Sequence, residues 1–302
     1  MKRVTLLFPL LAILLAPLQA AFAEDVETGN EPVTLRWVGC GISKKAYMIA
    51  LAASYEKKTG VHIDIQGGGA TRGIREAAAN TADIGGSCRR HIRGVGAESG
   101  VTMVPVAWDA LVVIVNKDNP INSIAMEDLR KIYLGGITNW KELGGTDEPI
   151  KLFARQGKIS GVGRTTRKLL FGNYDQDFAA TEFFPSSGPL EKQIEVDTAA
   201  IGITGVSSAR KRKVKIIALN GKSPSYDNVA SGNYLLYRPL YLAFNPHGAH
   251  ADVVKDFIKY ADTPEGRKVI RSNGTVPYLE GLNLMKKKLQ ESRLAQKNKG
   301  LR

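Results

Sequence analysis

From Val33 onward the chain alternates short β-rich runs with helical runs, and no other feature limits its fold as tightly. "VTLRWVG" (33–39) predicts a strand and "SKKAYMIALAASYEKKTG" (43–60) a helix closing on Gly60. "VHIDIQ" predicts a second strand, "TRGIREAAANT" a helix, and "ADIGGS", "VTMVPVA" and "ALVVIVN" three further strands. After the helix at "MEDLRKIYLG", the runs "IKLFAR", "AAIGITG", "KVKIIAL" and "RPLYLAFN" are β-rich. The stretch "HADVVKDFIKYADTPEGRKVIRSNG" is two helices broken near Thr263-Pro264. Strands separated by helices imply βαβ units, so the expected class is α/β with mostly parallel sheets flanked by helices. Two apolar strands, "ALVVIVN" (110–116) and "RPLYLAFN" (238–245), bracket about 120 residues that have elements of their own. Their spacing suggests two lobes, the second inserted into the first, with these strands crossing as a double hinge.

The first 23 residues read differently. Lys2 and Arg3 precede the apolar run "VTLLFPLLAILLAPL", and "QAAFAED" follows with a small-x-small site at Ala21 and Ala23. That is the layout of a cleaved export signal, residues 1–23, and Pro9 and Pro17 interrupt the run before it reaches membrane-spanning length. Loss of Lys2 and Arg3 takes the formal charge from +13 to +11. In an exported protein nucleic acid is a poor partner for that charge, and anionic ligands suit it better. Part of it sits in a lysine-rich tail at 286–302.

Four loops that follow strands are rich in small residues: "GCGIS" (39–43), "QGGGAT" (66–71), "GGSCRR" (85–90) and "RQGKISGVGRTT" (155–166). In open α/β sheets ligands bind outside the carboxyl ends of strands. Helix N-termini there offer free N–H groups to an anion, and glycine lets an oxyanion reach the backbone. Hydroxyls at Ser43, Thr71, Ser87, Ser160 and Thr165 add donors, and Arg155 adds a planar fork. Enzyme motifs are absent. "NGKS" (220–223) lacks the leading Walker glycine at Ile216, and "GGATRG" (68–73) breaks G-x-G-x-x-G at Ala70. His247 and His250 have metal-like spacing without a carboxylate cluster beside them, so neither a metal nor another cofactor is expected.

The ordered pieces "GCGIS", "GGGATRGI", "ADIGGSCR", "VPVAWDALVVIVNKDNP", "GGITNWKELGG", "AAIGITGVS", "SGNYLLYRPLYLAFN" and "TPEGRKVI" resemble the PstS-type substrate-binding proteins of phosphate ABC importers, over roughly 33–280. The resemblance implies a type II periplasmic binding protein-like fold with two lobes and a two-strand hinge. The expected boundaries are 33–114 plus 240–285 for lobe 1 and 115–239 for lobe 2. It implies a monomeric, non-enzymatic, periplasmic protein that holds phosphate between the lobes and delivers it to a membrane permease. Carried over position by position, the ligand-binding residues are Ile42, Ser43, Lys44, Ala70, Thr71, Ser87, Cys88, Arg89, Arg155, Ser160, Gly161 and Val162.

Three positions depart from that family's pattern. Ala70 stands where serine is usual, Cys88 where many members have aspartate or serine, and Val162 where threonine is expected. An aspartate there accepts the proton of a protonated phosphate and repels fully deprotonated sulfate, so sulfate, arsenate and molybdate stay open as cargo. Cys40 and Cys88, the only cysteines, fall on two of the proposed ligand loops, and in an oxidising compartment they are expected to form a disulfide. A thiol-redox or sensing protein built on the same fold and using this pair is the alternative from another class.

Overall fold

The computed structural model describes residues 33–287 together with Met1 and Leu289. The export signal at 1–23 and nearly all of the basic tail at 286–302 lie outside those residues.

The chain opens with β1 (Thr34–Gly39), a helical turn α1 (Gly41–Ser43), a π-helical stretch at Lys44–Met48 and α2 (Ile49–Thr59). Gly60 closes α2 with φ 76°, a left-handed cap that glycine adopts without Cβ strain. β2 (His62–Gly67), α3 (Ala70–Ala78) and β3 (Ile84–Ser87) complete the first βαβ units. β1 pairs in parallel with both β2 and β3, and Gly39 is level with Gly67 on one side and Gly86 on the other. That register starts three loops at one height. Glycine is required at Gly86, because a Cβ there would overlap the buried Trp37 ring.

β4 (Thr102–Asn116) is one continuous strand of 15 residues, where the sequence suggested two. It stays continuous because its pairing changes partners along its length. Residues 102–110 pair antiparallel with β10, whereas 111–116 pair with β8 and β9. Every residue from Val106 to Asn116 is buried, so the apolar run "ALVVIVN" is explained by cover on both faces.

The intervening segment contributes β5 (Ser123–Ile124), α4 (Met126–Leu134), β6 (Lys151–Arg155), α5 (Gly161–Phe171), β7 (Glu182–Phe184) and α6 (Ser187–Val196). β8 (Ala200–Gly205), α7 (Val206–Ala209), β9 (Val214–Leu219) and α8 (Tyr226–Ala230) follow. β6 is parallel to both β7 and β8. β10 (Tyr237–Phe244) returns antiparallel to β3 and β4. α9 (Ala251–Asp262) and α10 (Pro264–Ser272) are broken at Thr263, which caps α10 through its hydroxyl with Pro264 at the first helical position. β11 (Val276–Pro277) then adds a short antiparallel pairing to β4. The architecture is therefore α/β, with parallel βαβ ladders on either side of β4 and antiparallel crossing strands between them. Among the described residues no helix is long and apolar enough to cross a membrane.

Candidate functional site: an oxyanion cleft

The carboxyl ends of β1, β2, β3, β6 and β7 open onto one cavity of about 710 Å³. Its wall includes Cys40, Gly41, Ile42, Gly67, Gly68, Gly69, Ala70, Thr71 and Cys88 from the first set of strands. Facing them are Arg155, Gln156, Ile159, Ser160, Gly161, Val162, Pro185, Ser186, Ser187 and Gly188, with Lys45 and Ser208 at the side.

Three helices present their first residues here: Ala70 of α3, Gly161 of α5 and Ser187 of α6. The opening amides of a helix have no partner within it. α3 is preceded by Gly69 and α6 by Ser186, and neither cap makes a side-chain hydrogen bond to its helix. On α5 the Ser160 hydroxyl takes only the amide of Gly163, and the Arg164 amide goes to the Ser160 carbonyl. The first amides of α5, at Gly161 and Val162, are thus left for a ligand. Three helix N-termini with bare N–H groups at one cavity constitute an anion site.

The three glycines after β2 have separate reasons. Gly69 sits at φ 87°, ψ 164°, a region open essentially to glycine alone. A Cβ on Gly67 or Gly69 would meet nothing within 4 Å, so the backbone there lies bare to the cavity. A Cβ on Gly68 would press on the Arg72 side chain.

Arg155 reaches across from the end of β6. Its Nε donates to the Phe184 carbonyl (3.1 Å), Nη1 to Ser187 Oγ (3.2 Å) and Nη2 to the Pro185 carbonyl (2.7 Å). These bonds fix the guanidinium plane at the mouth of α6. Lys45 Nζ donates to Ser208 Oγ (2.8 Å) and lies 4.0 Å from the fully buried Glu191, which also accepts from Thr204, Ser208 and Arg212. Burial lowers the Lys45 pKa, with Glu191 opposing that shift.

Of the residues the sequence nominated, Ile42, Ala70, Thr71, Cys88, Arg155, Ser160, Gly161 and Val162 lie together on the cavity wall. Four do not. Ser43 is fully buried, its hydroxyl 3.1 Å from Cys40 Sγ. The Lys44 amide is spent on the Cys40 carbonyl, and its ammonium goes to the Ile65 carbonyl (3.2 Å). Ser87 turns back on its own loop, donating to the Arg89 carbonyl (2.7 Å). Arg89 is a buried brace rather than a wall residue. Its guanidinium holds Glu98 with two bonds (2.8 and 2.7 Å), the Ile159 carbonyl (2.8 Å) and Thr71 Oγ1 (2.9 Å). Arg89 therefore ties the second and fourth loops together from behind.

The expected disulfide is not formed: Cys40 and Cys88 are both buried free thiols. Cys40 Sγ is engaged as the cap of α1, accepting from the Ser43 amide (3.3 Å). Cys40 and Cys88 follow the paired residues Gly39 of β1 and Gly86 of β3, so their loops start side by side. The Cys40 thiol, helped by the charges of Arg238, Arg155 and Arg89, pulls Cys88 down to about 6 against the effect of burial. Burial, reinforced by Cys88, pushes Cys40 up. The two shifts run in opposite directions, Cys88 toward the thiolate and Cys40 toward the thiol. Behind them Arg238 is buried, 3.3 Å from Asp109, and donates to the carbonyls of Gly161 (3.4 Å) and Cys88 (3.5 Å).

Sequence reading missed the α6 side of the cleft. Pro185, Ser186, Ser187 and Gly188 belong to "FPSSGP", a serine-rich start ahead of an apolar helical period, and that signal was available. Lys45 and Ser208 had no comparable signal, because they meet through β8 and α7 across a long sequence separation.

A family model described as "PBP superfamily domain" matches residues 28–265. The chain belongs to the PBP superfamily. Relatives within it are phosphate-binding proteins by name. The PstS of Bacillus subtilis is 29% identical over 258 residues, covering 84% of each chain. The PstS of Pseudomonas aeruginosa is 25% identical, covering 72% of this chain and 74% of its own. An ABC-type phosphate transport receptor from Vibrio cholerae superposes with a TM-score of 0.61 at 28% identity, over 80% of this chain and 99% of its own. A Clostridium perfringens structure with bound phosphate superposes with a TM-score of 0.72 at 24% identity, over 81% and 99% of the two chains, and shows the shared fold. This PBP superfamily chain thus has the two-lobe fold of its relatives, with a thiol pair set into the cleft wall.

Proposed function

We propose that this protein binds inorganic phosphate in the cleft and delivers it to the membrane permease of an ABC importer. The observation that carries the reading is the convergence of three helix N-termini, the bare backbone of Gly67–Gly69 and the Arg155 guanidinium on one cavity. The helix amides and the guanidinium are donors, the glycine backbone lets an oxyanion come close, and together they match a tetrahedral oxyanion. The phosphate-named relatives support the choice of anion. Binding of this kind needs no catalytic group. Lobe 1 is 33–114 with 240–285 and lobe 2 is 115–239, and ligand is held by closure of one on the other. The exported protein works as a periplasmic monomer.

The test is equilibrium binding of radiolabelled phosphate, competed with sulfate, arsenate and molybdate. Competition by unlabelled phosphate and arsenate but not by sulfate is the expected pattern. Displacement by sulfate or molybdate at lower concentration than by phosphate would reassign the cargo.

A further inference from the structure

Oxyanion binding by amides and a guanidinium calls for no redox chemistry from the thiol pair. Amides and the Arg155 guanidinium serve it, yet Cys40 and Cys88 are both in the cavity wall, both free, and on loops that start side by side from the paired strands β1 and β3. Cys88 sulfur lies against the start of α5, since a Cβ added to Gly161 would overlap it and would also come within 3.0 Å of the Ala70 methyl. This corner of the cleft, where two helix N-termini meet, is therefore sulfur and alkyl, with no hydroxyl at Ala70 or Val162. A second cavity of about 410 Å³ also has the buried Cys88 in its wall.

We infer that the Cys40–Cys88 pair reduces arsenate bound in this cleft to arsenite. The inference rests on the oxyanion-binding reading. Arsenate has the shape and charge of phosphate, but its As(V) centre accepts two electrons from thiols, which phosphorus does not. In the first step Cys88 sulfur bonds to arsenic and one arsenate hydroxyl leaves as water, carrying its own proton and taking a second from the thiol pair. The product is a Cys88 thioester of arsenate. In the second step Cys40 sulfur attacks Cys88 sulfur, and the sulfur–arsenic electron pair stays on arsenic. That releases arsenite and leaves a Cys40–Cys88 disulfide, with two thiols oxidised per As(V) reduced. A small dithiol reductant restores the pair by thiol–disulfide exchange. The division of labour fits the geometry: Cys88, whose sulfur lies against the start of α5, is the nucleophile, and Cys40, beside it and engaged with the Ser43 amide, resolves it.

The experiment uses the reduced full chain, freed of reductant and kept anaerobic, with one equivalent of sodium arsenate. Thiols are counted with a chromogenic thiol reagent in denaturant, and arsenite is measured by chromatography. The expected result is loss of both thiols with one arsenite formed, no loss with phosphate, and no arsenite from Cys40→Ser or Cys88→Ser. Wild-type thiol and arsenite yields decide the matter even if a variant fails to fold. Arsenate binding with both thiols intact overturns the inference and leaves the binding reading standing. Absence of binding by either phosphate or arsenate overturns both.

Discussion

Arg155 is the residue on which charge recognition depends most. Three bonds hold its guanidinium between β6 and the start of α6, so it meets an anion preorganised. A charged hydrogen bond contributes about 1.5–3 kcal/mol. Arg155→Ala is therefore expected to weaken phosphate binding roughly 10- to 150-fold, and titration of the variant checks this. Cys88 is the second informative residue. Thiolate ultraviolet absorbance followed against pH is expected to show a transition near 6 from Cys88, well below the ordinary thiol value of 9.0. Cys40→Ala removes the neighbouring thiol that does most to lower Cys88, so the transition should move upward. An unchanged midpoint would mean the arginines alone hold the charge. Cys88, Ala70 and Val162 were legible in the sequence as departures from a pattern. That Ser43, Ser87 and Arg89 face away from the cavity was not. A hydroxyl or guanidinium in a loop can satisfy its own backbone or a distant carboxylate equally well, and only tertiary contacts such as Arg89–Glu98 decide.

At the scale of elements, the cleft is made by loops that start level because β1, β2 and β3 are in parallel register. Gly69 sets the entry of α3 from a backbone conformation that other residues avoid. Gly69→Ala is expected to cost about 1–3 kcal/mol. The cost should be visible as a lower midpoint in urea unfolding, and saturating phosphate should raise the wild-type midpoint at least as much as that of the variant. Most elements were readable because period and breakers agreed, as at Gly60 and at Thr263-Pro264. β4 was not read whole. Trp108-Asp109-Ala110 looks like a break in an apolar run, yet Asp109 is buried against Arg238, and the strand passes through unbroken. A buried ion pair from two remote strands leaves no local trace in sequence. The start of α6 at Ser186–Ser187 was present in the text of the chain but lacks the glycine-rich loops that mark the other sites.

At the scale of the molecule, the Arg89–Glu98 pair is the main electrostatic brace behind the cleft, with both side chains almost wholly buried. Burial would raise the Glu98 carboxyl, but the bonds from Arg89 and the Ile92 amide outweigh it and hold it below its ordinary value of 4.5. A carboxyl with a depressed folded-state pKa contributes stability that is fully present above 4.5. That stability is lost as pH falls through the folded value. Acid unfolding of the wild type should therefore steepen below 4.5. Glu98→Gln leaves Arg89 buried without its counter-charge, and it should lose about 3–5 kcal/mol at neutral pH. It should also unfold with a weaker acid dependence, and thermal melts across pH would show both effects. If the variant kept the acid dependence of the wild type, the brace would lie elsewhere.

The cleft's convergence of helix N-termini, bare glycine backbone and fixed arginine gives the protein its proposed role, so phosphate binding itself is the most direct test. The measurement is calorimetric titration of phosphate into full-length protein, stripped of any bound anion by unfolding and refolding, at neutral pH. The account predicts saturable one-to-one binding with a clear heat. Absence of heat with phosphate, in a protein shown to be refolded, would contradict it.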